Sequence, residues 1–139
     1  MNFIDLKLIE KTATIMEEIE NEYKFDRYIL AKTICLSETY DSIFQFEEWL
    51  CSQAKSYIKR TFLKEIECLN LPQNKDEDLY AEDIYWFTYL ILYWGIEENI
   101  SGKEIAKKYQ ISDILNSYET LHTLSIKAAI RKIKEDYKK

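Results

Sequence analysis

The run Ile84-Tyr85-Trp86-Phe87-Thr88-Tyr89-Leu90-Ile91-Leu92-Tyr93-Trp94 is the most apolar of the chain, and only Thr88 in it is neither aliphatic nor aromatic. It is shorter than the ~20 residues a helix needs to cross a bilayer. A helix without a polar side has to be covered on every side, either by the rest of the chain or by a partner. The surroundings read as helical too. The 139 residues include two Gly and one Pro, too few for a set of hairpin turns, while 16 Lys, 25 Asp plus Glu and 14 Leu favour helix. An all-α body is expected, and with 47% hydrophobic residues the chain can bury a substantial core.

Upstream of that run, Leu6, Ile9, Ala13, Met16 and Ile19 recur at spacings of three and four and predict a helix over 3–23. Further helices are expected over 27–36, 39–50 and 53–69, the last with Tyr57, Ile58, Phe62 and Ile66 as its stripe. Asn70 to Asp78 contains Pro72 and a polar run, so residues 71–79 read as a linker. Downstream, Gly95 stands where a helix would end. Ser101 and Glu104 have the spacing of a capping box that opens a helix to Tyr109. Ser112 is placed to cap a helix through Leu121, and Ser125 another to Tyr137.

Sliding the chain against itself by 71 positions puts Lys32 on Lys103, Ile34 on Ile105, Ile43 on Ile114, Phe44 on Leu115, Glu48 on Glu119, Leu50 on Leu121, Ser52 on Thr123 and Arg60 on Arg131. Two tandem helical units of about 70 residues, 1–70 and 80–139, are therefore expected. They should pack into one body, because a unit of that size has a marginal core. Each unit reads as a long helix, a short helix and a helical pair.

Several chemistries lose their footing in this composition. No Gly-rich loop is present to cradle a dinucleotide or triphosphate. A net charge of −6 with a pI near 4.9 argues against direct binding to nucleic acid. Cys35, Cys51 and Cys68 form no CxxC pair and read as buried free thiols. The acids at Glu17, Glu18, Glu20 and Glu22, and at Asp76, Glu77, Asp78, Glu82 and Asp83, lack the Gly and the alternation of an EF-hand loop. They read as solvated faces, or as a surface complementary to a basic cleft. His122 is the single histidine, and on a helix it shares a face with Tyr118 and with Glu119, whose carboxylate could orient the ring. No GxSxG accompanies it, and the matching position of the first half is Cys51. The expectation is a histidine that bonds between two helices, with no catalytic residue, metal or cofactor. Asp5 and Lys7 interrupt any apolar leader, so a cytoplasmic protein is expected.

Two words of the second half, Asn99-Ile100-Ser101-Gly102-Lys103-Glu104 and Tyr118-Glu119-Thr120-Leu121-His122-Thr123, carry a resemblance. Through them the stretch from Asn99 to Tyr137 resembles an uncharacterised bacterial domain-of-unknown-function family of small helical proteins. The first half, with Ser37-Glu38-Thr39-Tyr40-Asp41 and Trp49, looks like a more diverged relative. Members of that family are often encoded beside a candidate toxin with an ADP-ribosyltransferase-like fold, so the resemblance implies an antitoxin or regulatory subunit. It implies no reaction, because the family has no established active site, and this chain departs from it in carrying two units.

The resulting expectation is a cytoplasmic, non-enzymatic binding protein that neutralises a toxin enzyme by occluding its substrate or NAD cleft. Tyr118, His122 and Thr123 are expected on the partner-binding surface, with Trp49 as the first-half candidate. The alternative is an acidic inhibitor that mimics nucleic acid against a defence or restriction protein.

Overall fold

Side-chain caps open five of the ten helices among the described residues. The Asn2 side chain accepts from the Asp5 N–H at 2.8 Å while the Asp5 carboxylate reaches back to the Asn2 N–H, and this box opens α1 (Phe3–Tyr23). Lys24 stops α1 in the left-handed region at φ 54°, its N–H donating to the Glu20 carbonyl. Asp26 then caps α2 (Arg27–Leu36), and Ser37 ends α2 and caps α3 (Glu38–Phe44). The one-turn α4 (Glu48–Cys51) and α5 (Lys55–Glu67) complete the first half. The second half comprises α6 (Glu82–Glu98), α7 (Gly102–Lys108), α8 (Ile111–Asn116), α9 (Tyr118–Leu121) and α10 (Ile126–Tyr137). This computed structural model describes residues 1–74 and 81–138, and among the described residues the fold is all-α, with one isolated bridge between Phe25 and Gln73.

The two long helices make the centre. α1 lies along α6, burying Ile9, Ile15, Met16 and Ile19 on one side and Ile84, Phe87, Leu90 and Ile91 on the other. The apolar run of α6 is thus covered within the chain. What stays partly exposed is one stripe, Tyr85, Tyr89 and Tyr93, whose rings follow one another at 6.3 Å. α2 packs against α7 and α8, while α5 lies on α1 and α10 on α6.

Several expected boundaries are corrected. The helix over 39–50 is two, because Phe46 takes φ 56° and turns the chain between α3 and α4. The helix ending at Leu121 is also two, divided at Ser117, and Gln110 rather than Ser112 is its N-cap. Gly95 does not end a helix: α6 runs through it to Asn99, which takes the left-handed cap at φ 52°. A Cβ at Gly95 would stand 2.6 Å from the Ile100 carbonyl oxygen, so this glycine serves a close approach. The thiols also divide, Cys35 being buried, Cys51 half-buried and Cys68 exposed. Of the linker, residues 71–74 are fastened to the α1–α2 turn, with Asp26 N–H donating to Pro72 O at 2.8 Å and Asn74 N–H to Lys24 O at 2.6 Å. Residues 75–79, with Asp76, Glu77 and Asp78, lie outside the described residues.

Both halves run in the same order: a long helix, one of seven to ten residues, one of six or seven, a single turn of four, and a last of twelve or thirteen. Lys24 and Asn99 each end a long helix in the left-handed region, and Asp26 and Ser101 cap the helices that follow. The last helix of each half also holds the start of the third. Glu65 of α5 accepts from Ser37 Oγ, Glu38 N–H and Thr39 N–H, and the Tyr137 hydroxyl of α10 accepts from Gln110 N–H.

Candidate functional site

A groove of about 850 Å³ lies where the first turns of α1 meet α4 and the start of α5. Ile4 and Leu8, one helical turn apart, line one wall; Phe46, Cys51 and Ser52 line the other. The capping box at Asn2 fixes the first wall by starting α1 at Phe3, which leaves Phe3 and Ile4 71% and 74% exposed. The second wall depends on the α3–α4 bend. There the Phe46 N–H donates to Ile43 O and the Glu47 N–H to Ser42 O, both at 3.0 Å, a Schellman arrangement whose left-handed position usually holds Gly. Phe occupies it here, at a steric cost of about 1–2 kcal/mol for a residue with a Cβ. Its ring is 44% exposed, and Trp49 on the following turn is 54% exposed, its indole N–H donating to Glu47 at 2.6 Å.

Lysines edge the groove. Lys11 Nζ donates to the Cys51 and Gln53 carbonyls at 3.3 and 3.1 Å, capping the end of α4. Lys7 and Lys55 sit on opposite walls, with Glu10 and Glu48 also among the lining residues. Burial pushes the Cys51 thiol above its ordinary pKa, with Lys11 pulling the other way.

Between α6 and α9 aromatic side chains pack against one another. Trp86 of α6, 7% exposed, meets Tyr118 of α9 edge-on at 5.8 Å, and Tyr118 lies 4.6 Å from His122. The Tyr118 hydroxyl reaches Glu82 at 3.4 Å, and burial together with that carboxylate raises its pKa. His122 Nδ1 is 2.7 Å from the Tyr118 carbonyl, so the ring bonds back within its own turn and neither joins two helices nor pairs with Glu119. Thr123 follows, exposed. Tyr118, His122 and Thr123 are therefore close together at α9 and its C-terminal turn, whereas Trp49 stands on α4 in the other half of the chain.

A polar pocket of about 270 Å³ adjoins Tyr118, between the start of α2 and the α8–α9 bend. Arg27 donates there to Asp83 at 2.6 Å, and its Nε lies 3.9 Å from Glu20. Glu20 is 2% exposed, and burial raises its pKa to about 7 despite Arg27 nearby. A shallower apolar depression of about 350 Å³ runs between Ile29 and Leu36 of α2 and Tyr109 and Ile111.

Sequence reading missed Ile4, Lys11, Phe46 and Lys55. One signal was available: Phe3 and Ile4 are large apolar residues off the stripe that the rest of α1 turns inward. Among the described residues no group of three or more His, Cys, Asp or Glu is placed to hold a metal ion, and no helix is long and apolar enough to cross a membrane. No protein-family model, curated protein or solved structure matches the chain.

Proposed function

We propose that this chain is a non-enzymatic binding protein that covers part of a protein partner, with the α1–α4 groove as its contact face. One observation carries the reading. Ile4 and Phe46 line a single apolar groove while standing 74% and 44% exposed, and Phe46 is kept there by a backbone conformation unfavourable to it. Exposed apolar residues scattered singly need no explanation, but a concave cluster held against strain is what a docking surface requires. Tyr and Trp neighbours supply contact area at low entropic cost, and Trp49 is such a neighbour.

The finer reading is an antitoxin that occludes the cleft of an ADP-ribosyltransferase-like toxin in the bacterial cytoplasm, and it rests on the resemblance carried by residues 99–104 and 118–123. The nucleic-acid mimic has less support, because Lys55 and Lys59 of α5 answer the carboxylates of Glu18 and Glu22 on α1. Co-expression with the product of the adjacent open reading frame tests the reading. The two should co-purify, and Phe46→Asn should abolish capture while the variant stays folded. Capture undiminished by Phe46→Asn would remove the groove from the interface, and the absence of any complex would remove the antitoxin reading.

A further inference from the structure

The middle of α6 is buried from Ile84 to Gly95 except at Tyr85, Tyr89 and Tyr93, which lie half-buried in one row along the helix. Their rings follow one another at 6.3 Å, those of Tyr89 and Tyr93 within 17° of parallel. Among the described residues none of the three hydroxyls bonds within the chain, so the tips are left to solvent while the rings rest on the core. Such a row offers flat apolar area and π faces that attract cations.

Charge beside the row is negative, and part of it is unanswered. After burial, the fields of Glu10 and Glu17 of α1 raise the pKa of Tyr85, and that of Glu10 raises the pKa of Tyr89, so both acids flank the stripe. Other carboxylates of α1 have cations: Glu18 and Glu22 have Lys55 and Lys59, and Glu10 has Lys7 at 3.4 Å. Glu17 has no ion pair among the described residues. Its pKa is raised by burial and then by two more carboxylates, Glu82 and Glu18. Glu82, exposed at the first turn of α6, meets the Tyr118 hydroxyl and no cation among the described residues.

We propose that the face of α6 carrying Tyr85, Tyr89 and Tyr93 receives a basic helix of a protein partner, whose arginines, one turn apart, stack on the rings while one of them reaches Glu17 and Glu82. The inference rests on the reading of the chain as a binding protein but not on the α1–α4 groove, which neither these tyrosines nor Glu17 and Glu82 line. Arginine fits better than lysine, because a planar guanidinium lies flat on a ring and still turns N–H groups toward a carboxylate. Residues four apart on a helix are spaced by about 6 Å, the interval at which the tyrosines repeat. An acidic segment would meet like charge at Glu17 and Glu82, and an apolar one would strip water from both without replacing it.

The test uses the intact protein and three fluorescent, alanine-based helical peptides in anisotropy titrations. One carries three arginines four residues apart, the second has lysines in their place, and the third has the first peptide's composition with the arginines spread around the helix. The first should bind about 10-fold more tightly than the third and about 3-fold more tightly than the second. Tyr89→Leu, which keeps apolar packing and removes the ring, should weaken the first peptide about 5-fold, and Glu17→Gln about 3-fold, with circular dichroism unchanged. Phe46→Asn should leave the affinity as it was. If Tyr89→Leu fails to fold, Glu17→Gln decides. Binding of the first peptide no tighter than either control, binding by none of the three, or affinity unmoved by Glu17→Gln would overturn the proposal. So would a dimer in sedimentation equilibrium that Tyr89→Leu dissociates, since the occupant would then be a second copy. Failure to co-purify with the neighbouring product, with the peptides still discriminated, would remove the antitoxin reading and leave this face standing.

Discussion

At one end of the molecule α1 meets α4 through a lysine that caps two carbonyls; at the other, α6 meets α9 through packed rings. Both junctions set a long helix beside a single turn, but they are held by different side-chain chemistry. Where rings fill the junction, the single turn is anchored and the polar tips face outward. At the α1–α4 junction the turn is fastened by Lys11, which donates to the carbonyls of Cys51 and of Gln53 just beyond it, and a groove is left open beside it.

The largest effect should come from removing the ring that closes the second end. Trp86→Ala should cost about 3–5 kcal/mol in urea unfolding, because a nearly buried ring leaves a cavity and Tyr118 loses its packing partner. Lys11→Ala, at the other junction, should cost about 1 kcal/mol. Similar losses at the two positions would mean that the junctions bear the same load and the comparison fails.

The two long helices also differ near their ends, where α1 buries the Glu20 carboxylate and α6 has Gly95 at a close approach of backbone. Glu20 has its pKa raised to about 7 in the folded protein, above an ordinary value of 4.5. The unfolded chain therefore ionises first, and stability contributed by protonated Glu20 is fully present below about pH 4.5 and is lost as pH rises through about 7. Glu20→Gln should be more stable than the parent above pH 7, by on the order of 1–3 kcal/mol, with the difference shrinking toward pH 5. Denaturant midpoints across that range give the answer, and a difference that instead widens on acidification would mean that Glu20 is held as a charged partner of Arg27.

Smaller still, and opposite in sign to most substitutions, Phe46→Asn should raise stability by about 1 kcal/mol, since Asn tolerates the left-handed turn. A lower melting temperature would show that the ring contributes packing which outweighs its backbone cost. The smallest effect belongs to His122→Ala, which should stay within about 0.5 kcal/mol because the exposed ring bonds only to its own turn.

How far the sequence could be read follows from where each signal is stored. The spans of α1 and α2 and the caps at Ser101 and Ser125 are local, written in apolar spacing and in one oxygen reaching one N–H, and these were legible. The bend at Phe46 was not, because the residue in the left-handed position gives no sign of it; a Gly there would have. Gly95 misled for the converse reason, since its absent side chain serves the approach of Ile100. Tyr118 and His122 were correctly placed on one face, but Trp86, which turns Tyr118 into an anchor, lies more than thirty residues away. The groove depends on the bend at Phe46 that brings α4 beside the first turns of α1, an approach that no local spacing records.

The pairing of α1 with α6 reaches into the history of each newly made molecule. Ile9, Ile15 and Met16 share one buried cluster with Ile84, Phe87 and Ile91, so until α6 has been made α1 has α5 against it but lacks its longest neighbour. That interval lasts until Glu98 has left the exit tunnel, and throughout it the nascent segment is a client for holdase chaperones and exposed to proteases. A long helix placed first and its mate placed in the middle make co-translational folding of this chain a matter of waiting.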